Sequence, residues 1–361
     1  MRMLRADGSS TSRNESMASA GNTKQALITR KHEEYRNSIK KYERILFGIL
    51  GSSFLIFLGI AAYAVYKIGY SNFLETVASI KVGYYAIALL VVLFAYVIRF
   101  PKWELYMSRL KVRIGRLQNF LVYMSMYSMD ITPGRWGRVV VSYTINRLTG
   151  AKFSRTLPAV VADIFTDFAG FAFVAVVAAI FVGQYVIVAI VATILLLLPF
   201  VFLYSKRAYS LFSKRLRKRR MFRRLFEVGD KYFRHNRLLG MDVYANSMAY
   251  TIPSMAINAV SLYFVMLAFG VNLGIHFIPV VIFIFSMSTL LGMLTGLPAN
   301  LGVTDATLFG FLVAFFGGAG IGVGLASVIT IFARLANVWF VQLFGFSSLA
   351  YTIRYWRQPL R

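Results

Sequence analysis

Cysteine is absent from this chain, and histidine and acidic residues are few. The absence of cysteine excludes disulfide bonds, thiolate nucleophiles and cysteine-ligated metal sites. The three histidines, His32, His235 and His276, lie far apart in the sequence, and none belongs to a metal-ligand pattern. No glycine-rich loop ends in Lys-Ser or Lys-Thr. The sequence therefore predicts no cofactor and no nucleotide-driven motor in this chain.

Long apolar stretches and positive charge dominate what is present. The chain of 361 residues is 58% hydrophobic and only 15% charged, which is typical of an all-α polytopic membrane protein. Its 40 Lys and Arg residues exceed its 14 Asp and Glu residues, but they cluster between apolar spans, as the positive-inside rule describes. We therefore expect membrane lipids, anionic or phosphate-bearing, as partners, and no nucleic acid.

Composition divides the chain into three parts. The first part is polar and basic and is expected to be a partly disordered cytoplasmic arm, and the last part is a basic cytoplasmic tail. Between them lies a single membrane domain. The predicted bounds are 1–43 for the arm, 44–350 for the membrane domain and 351–361 for the tail.

Two short turns interrupt the apolar stretches in opposite halves of the membrane domain. The first turn, residues 132–137, reads Thr-Pro-Gly-Arg-Trp-Gly, and the second turn, residues 297–302, reads Leu-Pro-Ala-Asn-Leu-Gly. Backbone broken at membrane depth is tolerated only where it is buried in protein or lines a wet cavity. A matched pair of such breaks is typical of a transport site. The flanking charges predict two re-entrant helical hairpins that enter the membrane from opposite faces.

The expected topology is an inverted repeat of about six full spans and the two hairpins. The first repeat covers about 45–182 and the second about 185–350, with a basic cytoplasmic loop at 206–237. Lysine and arginine placement predicts a multi-pass plasma-membrane protein with both termini and the segment 101–116 in the cytoplasm. Eight or more full spans are the alternative, since the hairpin arms can cross when tilted. The predicted spans are 45–66, 82–100, 157–182, 185–204, 243–269 and 321–350.

The first turn combines a helix start with two cations. Thr132 suits an N-cap and Pro133 suits the first helical position. Arg135 and Arg138 would then lie in the first turn of a helix, where free N–H groups and two guanidinium groups can bind a phosphate. The alternative is that both arginines extend to the cytoplasmic head groups.

Four more ionisable residues are predicted at membrane depth. Asp163 and Asp167 share one helix face at depths of roughly 9 and 15 Å below residue 157, and should face the protein interior. Arg334 lies at a comparable depth, so we expect a bridge from Arg334 to Asp167 or Asp163, either structural or acting as a gate. Asp305 is expected in the first turn of the helix after the second turn, where a carboxylate suits the helix dipole.

These motifs resemble a flippase-like family that includes the membrane half of bacterial lysylphosphatidylglycerol synthases and stand-alone archaeal and bacterial proteins. The likeness covers most of residues 45–350. The chain departs from the family pattern at Arg138, where an acidic residue is usual, and at residues 163–167, which lack an arginine. Arg99 and Asp130 are weaker candidates. The residues expected to bind substrate are Thr132, Pro133, Gly134, Arg135, Gly137, Arg138, Asp163, Asp167, Pro298, Gly302, Asp305 and Arg334.

The resemblance implies a lipid flippase or transporter that moves a phospholipid or a polyprenyl-linked glycan between leaflets through a polar midplane cavity. One alternative is a membrane-embedded enzyme that acts on a lipid phosphate, with Asp163 and Asp167 as bases. Another is a non-transporting partner that docks a cytoplasmic glycosyltransferase or lipid synthase through residues 206–237. We find no soluble aminoacyl-transfer domain in the sequence, so lysylphosphatidylglycerol synthesis by this chain alone is not expected, and a transporter is favoured over an enzyme.

Overall fold

The computed structural model describes residues 69–205 and 235–356, together with Tyr232 and isolated residues between 48 and 66. Contacts divide the chain into units 1–54 and 55–361, and the architecture below belongs to the second unit. Several predicted features lie wholly or largely outside the described residues: the arm 1–43, the span 45–66, the basic loop 206–237 and the end of the tail, 357–361.

All regular elements in the described ranges are helical. Short 3₁₀ segments cover both turns, and a π-helical turn, Leu335–Trp339, joins the last two helices. The α-helices are α1 (Tyr70–Ala78), α2 (Val82–Arg109), α3 (Arg116–Tyr127), α4 (Val140–Thr149), α5 (Phe153–Val182), α6 (Val186–Tyr204), α7 (Met241–Ala268), α8 (Ile278–Thr295), α9 (Val303–Phe316), α10 (Val323–Arg334) and α11 (Phe340–Trp356).

Six segments of the described chain are long and apolar enough to cross a membrane. They confirm the prediction of an all-α multi-pass membrane protein. Two of them are the arms of the predicted second hairpin, so length and composition alone also allow these arms to cross. The re-entrant topology and the inverted repeat therefore stay predictions. The six segments are Val82–Arg109, Phe153–Val182, Met241–Ala268, Ile275–Thr295, Pro298–Ala319 and Val323–Thr352.

Helices α2 and α7 form the most extensive helix pair of the fold. Each has 28 residues, and at 1.5 Å per residue each is about 42 Å long. At one end the amide of Lys81 donates to the carbonyl of Ala268 at 2.8 Å. At the other end Arg109 Nη2 lies 2.6 Å from Asp242 Oδ2. These two contacts at opposite ends show that the helices run antiparallel.

Helix α2 ends later than the sequence predicts. It continues through Pro101 to Arg109, so the span end predicted at residue 100 is wrong. A proline removes one helical hydrogen bond, but apolar packing beyond it can keep the helix intact. Trp103 is fully buried, and its indole N–H donates to Asn119 Oδ1 of α3 at 2.9 Å. Lys102, next to Pro101, is fully buried as well.

The first arm of each predicted hairpin packs on a helix from the other half of the chain. Helix α8, the first arm of the second block, packs on α5, and helix α3, the first arm of the first block, packs on α11. Gly345 of α11 approaches the chain just before the first turn so closely that a Cβ there would lie 2.6 Å from the backbone nitrogen of Ser128. Only a glycine at this position allows that approach.

We expect the Gly345→Ala variant to unfold more easily than the wild type, because the added methyl group meets backbone that cannot move cheaply. Overpacking of this kind costs about 1–3 kcal/mol. The measurement is thermal unfolding of the purified protein in detergent. Gly310→Ala in α9 is the matched control, since no atom lies within 4 Å of a Cβ there. Equal unfolding temperatures for the two variants would contradict the close approach.

Candidate functional site

The two turns meet each other inside the fold. The amide of Gly134 donates to the carbonyl of Gly296 at 3.1 Å. Both turns contain left-handed backbone, with φ of 60° at Arg135 in the first turn, and 50° at Ala299 and 56° at Asn300 in the second. Left-handed non-glycine residues cost roughly 1–2 kcal/mol each. The sharp reversals that they produce are maintained by the surrounding packing.

The first turn starts as predicted but does not continue as a regular helix. Thr132 and Pro133 occupy the N-cap and first positions of a 3₁₀ segment, Pro133–Val139. The Thr132 hydroxyl accepts a hydrogen bond from the amide of Gly137 at 2.7 Å. Left-handed conformations at Gly134 and Arg135 break the helix, and α4 begins only at residue 140. The prediction that Arg135 lies in a regular first helical turn is therefore wrong.

Seven ionisable side chains gather between α2, the first turn and α5. We call them the charged cluster. Helix α2 supplies two cations, the region of the first turn supplies two cations and one carboxylate, and α5 supplies two carboxylates. The members are Arg99, Lys102, Asp130, Arg135, Arg138, Asp163 and Asp167.

Two cations of the charged cluster are held tightly. Lys102 Nζ lies 2.7 Å from Asp167 Oδ1 and 3.0 Å from Asp163 Oδ1. Arg138 Nη1 lies 2.7 Å from Asp163 Oδ2 and 2.9 Å from Asp167 Oδ2, and the same guanidinium donates twice to Asp130. Both cations and both α5 carboxylates are fully buried. The inward orientation of Asp163 and Asp167 is confirmed, and the alternative that Arg138 extends to the head groups is wrong.

The other two cations of the charged cluster are held loosely. Arg99 Nη1 lies 3.6 Å from Asp167 Oδ1, and Arg135 Nη1 lies 3.7 Å from Asp167 Oδ2. Both separations exceed the usual length of a charged hydrogen bond. Among the described residues Arg99 Nη2 has no hydrogen-bond partner, although the guanidinium lies 4.1 Å from the centre of the Tyr96 ring. These two arginines therefore keep donors available for an anionic ligand.

The second turn carries its own ion pair. Arg334 Nε lies 3.0 Å from Asp305 Oδ1, and Arg334 Nη2 donates to the carbonyl of Ala299 at 2.7 Å. Asp305 lies in the first turn of α9, as predicted, and its Oδ2 accepts from the amide of Gly302 at 2.8 Å. Pro298 begins the 3₁₀ segment of this turn. The predicted bridge from Arg334 to an α5 aspartate is wrong, because Asp305 neutralises Arg334 within its own half.

A cavity of about 70 Å³ lies between the two turns and the last helices. This volume is enough for a few water-sized groups. Its charged lining consists of Arg99, Arg135, Arg334 and Asp130. Four residues that the sequence predicted as substrate contacts are not part of this lining. They are Arg138, Asp163, Asp167 and Asp305. The uncharged polar lining residues are Tyr96, Tyr127, Asn258, Thr289, Asn300, Asn337 and Gln342.

Lys102 is the member of the site that sequence reasoning missed. The predicted span ended at residue 100, before Lys102, and the segment 101–116 was expected in the cytoplasm. The available signal was its spacing from Arg99, since residues at i and i+3 share one face of a helix. A helix continued through the proline would have placed both cations opposite the aspartate pair of α5.

Apolar helices around a buried charged site define a multi-pass membrane protein with a polar interior. The chain belongs to the family described as the lysylphosphatidylglycerol synthase TM region, whose sequence model matches residues 46–345. It is also similar to a UPF0104 membrane protein of Methanothermobacter thermautotrophicus, with 22% identity over 279 residues, 69% of this chain and 80% of that protein. The family match covers both turns and the whole charged cluster, and it confirms the resemblance seen in the sequence.

We expect Lys102→Met to destabilise the protein strongly, because it leaves two buried carboxylates short of a cation. Removing one partner of a buried pair costs about 3–5 kcal/mol. The control is Arg109→Met, whose pair with Asp242 is exposed and worth about 0–1 kcal/mol. Denaturant unfolding in detergent, followed by tryptophan fluorescence, measures both losses. If the two variants lose the same stability, the assignment of Lys102 as a structural cation fails.

Proposed function

We propose that this protein is a lipid flippase or transporter, which moves a phosphate-bearing lipid between the leaflets of the plasma membrane. The head group would pass through the cavity between the two turns while the acyl or polyprenyl chains remain in lipid. One observation carries the proposal. Three guanidinium groups, those of Arg99, Arg135 and Arg334, line an interior cavity whose only lining carboxylate among the described residues is Asp130.

The charge balance of the interior supports an anionic substrate. Five cations and four carboxylates leave one positive charge when each group has its ordinary charge. An uncompensated cation at membrane depth costs about 3 kcal/mol or more, so a ligand with one negative charge is favoured there. A phosphate diester carries that charge. The cations are Arg99, Lys102, Arg135, Arg138 and Arg334, and the carboxylates are Asp130, Asp163, Asp167 and Asp305.

An apolar pocket beside the first turn supports a lipid rather than a free phosphate. The pocket has a volume of about 220 Å³ and is lined by Trp136, Phe168 and Phe200 among other residues. The guanidinium carbon of Arg135 lies 5.4 Å from the centre of the Phe168 ring. Arg135 also lines the polar cavity, so it lies between that cavity and an aromatic side chain of the apolar pocket. An amphiphile could then place its phosphate on one side of Arg135 and its chain on the other.

The loosely held cations suggest how the phosphate would bind and leave. A phosphate that binds Arg99 and Arg135 replaces their long contacts to Asp167. Lys102 and Arg138 keep Asp167 neutralised during that exchange, so no carboxylate is left unpaired. When the phosphate departs, Asp167 attracts the two arginines again, which prevents trapping of the anion. In this scheme the first turn binds the phosphate and the second turn acts as the gate.

We also propose the inverted repeat of six spans and two re-entrant hairpins, with cytoplasmic termini. The contact between Gly134 and Gly296 supports it, because two hairpins that enter from opposite faces can touch only at their tips. The packing between halves supports the repeat too. Helix α8 packs on α5 and α3 packs on α11, and a two-fold axis that relates the repeats would exchange these two pairs.

In vesicles that contain the purified protein, we expect Arg135→Gln to slow the movement of a fluorescent anionic phospholipid between leaflets at least tenfold. Loss of a charged hydrogen bond of about 1.5–3 kcal/mol predicts this size. Arg135→Lys should recover part of the rate, since the charge returns without the planar guanidinium. Arg109→Gln is the exposed control and should keep the wild-type rate.

Three results would contradict the transport proposal. Vesicles with wild-type protein that move lipid no faster than empty vesicles would exclude flippase activity. Chemical conversion of the lipid would indicate the enzyme alternative. An Arg135→Gln variant that folds normally and keeps the full rate would exclude the first turn as the phosphate site.

The topology is tested by single cysteines in this cysteine-free chain. We expect Asn272→Cys and Gly318→Cys to react with a membrane-impermeant maleimide from the same, outer side. Arg113→Cys, between α2 and α3, should react only from the cytoplasmic side and serves as the control. All three positions are exposed. Labelling of Asn272→Cys and Gly318→Cys from opposite sides would exclude the re-entrant second hairpin.

A further inference from the structure

Four of the side chains that line the cavity end in an amide group. Asn258 comes from α7, Asn300 from the second turn, Asn337 from the π-helical turn and Gln342 from α11. We call these four residues the amide wall. The proposed phosphate site, at Arg99 and Arg135, does not account for them.

Part of the amide wall has no partner for its hydrogen-bonding groups. Both amide atoms of Gln342 and the Oδ1 atom of Asn258 lack a hydrogen bond within the described part of the chain. Gln342 is 3% exposed and Asn258 is 4% exposed. Asn337, by contrast, already donates to Ser261 Oγ at 3.0 Å. A buried, unsatisfied amide costs about 1–3 kcal/mol, so a ligand that supplies both donors and acceptors is favoured at Gln342 and Asn258.

The charges around the cavity disfavour a cationic head group. A primary or quaternary amine there would lie among the guanidinium groups of Arg99, Arg135 and Arg334, and like charges repel strongly where water is scarce. The one lining carboxylate, Asp130, already accepts two hydrogen bonds from Arg138. No free acceptor of full negative charge therefore faces the cavity from the described residues.

We propose that the cavity selects lipids whose head group beyond the phosphate is a small uncharged polyol, such as glycerol, over lipids with amine head groups. A hydroxyl group both donates and accepts hydrogen bonds, which matches the free side-chain amide of Gln342 and the free Oδ1 atom of Asn258. The phosphate lies at Arg99 and Arg135, and the polyol lies against the amide wall. This inference rests on the proposed function, since it requires a lipid head group in this cavity.

The test compares fluorescent lipids in vesicles that contain the purified protein. Phosphatidylglycerol carries a polyol, phosphatidylethanolamine carries an amine, and phosphatidic acid carries a phosphate without a further head group. We expect the wild type to move phosphatidylglycerol at least tenfold faster than phosphatidylethanolamine. Gln342→Leu should slow phosphatidylglycerol about fivefold or more, the loss expected for hydrogen bonds to one amide, and leave phosphatidic acid unchanged.

Two further variants complete the test. Gln342→Glu places a carboxylate on the amide wall and should raise the rate for phosphatidylethanolamine relative to phosphatidylglycerol. Gln184→Leu makes the same substitution as Gln342→Leu, but at an exposed glutamine, and should alter no rate. Soluble glycerol phosphate, added as a competitor, should not slow the movement of phosphatidylglycerol, since it lacks the acyl chains that the apolar pocket would bind.

The outcomes separate this inference from the proposed function. Equal rates for all three lipids, or an equal loss for all of them in Gln342→Leu, would overturn the selection of polyols and leave the flippase proposal standing. Full competition by soluble glycerol phosphate would indicate a soluble polyol phosphate as the ligand and overturn the lipid selection. If the wild type moves no lipid, both proposals fail together.

Discussion

Lys102 and Arg138 bind the same two carboxylates, Asp163 and Asp167, and thereby join α2 and the first turn to α5. These groups are fully buried among apolar helices, where an unpaired charge is costly. The network therefore favours three features of the fold. It requires α2 to continue through Pro101, it holds the first turn against α5, and it sets the rotation of α5 about its own axis. These three elements supply Arg99, Arg135 and Phe171 to the cavity lining.

The same network separates structural cations from available ones. Each α5 carboxylate already lies within 3.0 Å of two cations, and Arg99 and Arg135 approach Asp167 only at 3.6 and 3.7 Å. They remain at the cavity surface with donors to spare, in a site whose total charge is positive. Under the proposed function, loose pairing at the lining lets an anion enter, while tight pairing behind the lining keeps each buried carboxylate neutralised.

Much of the fold was predictable, because hydropathy and charge act on whole segments. The ends of α5 and α7 lie within four residues of their predicted bounds, as helix capping and apolar length dictate. The continuation of α2 was missed, since apolar length and charge bounded the predicted span, while Trp103 stabilises the helix through a contact distant in sequence. Arg334 was assigned to the wrong carboxylate for the same reason. Depth in the membrane could be counted along one helix, but the direction of a side chain depends on its neighbours.

The sequence alone determined that this is an all-α membrane protein and that two short turns interrupt its apolar stretches. It also predicted interior positions for Asp163, Asp167 and Asp305. These conclusions follow from local periodicity and from the cost of charge in hydrocarbon. Tertiary structure alone decided that the two turns touch, that Lys102 joins the cluster, and that Arg99 and Arg135 rather than Arg138 line the cavity. Such assignments depend on distances between helices that are far apart in the chain, and spacing within one helix carries no information about them.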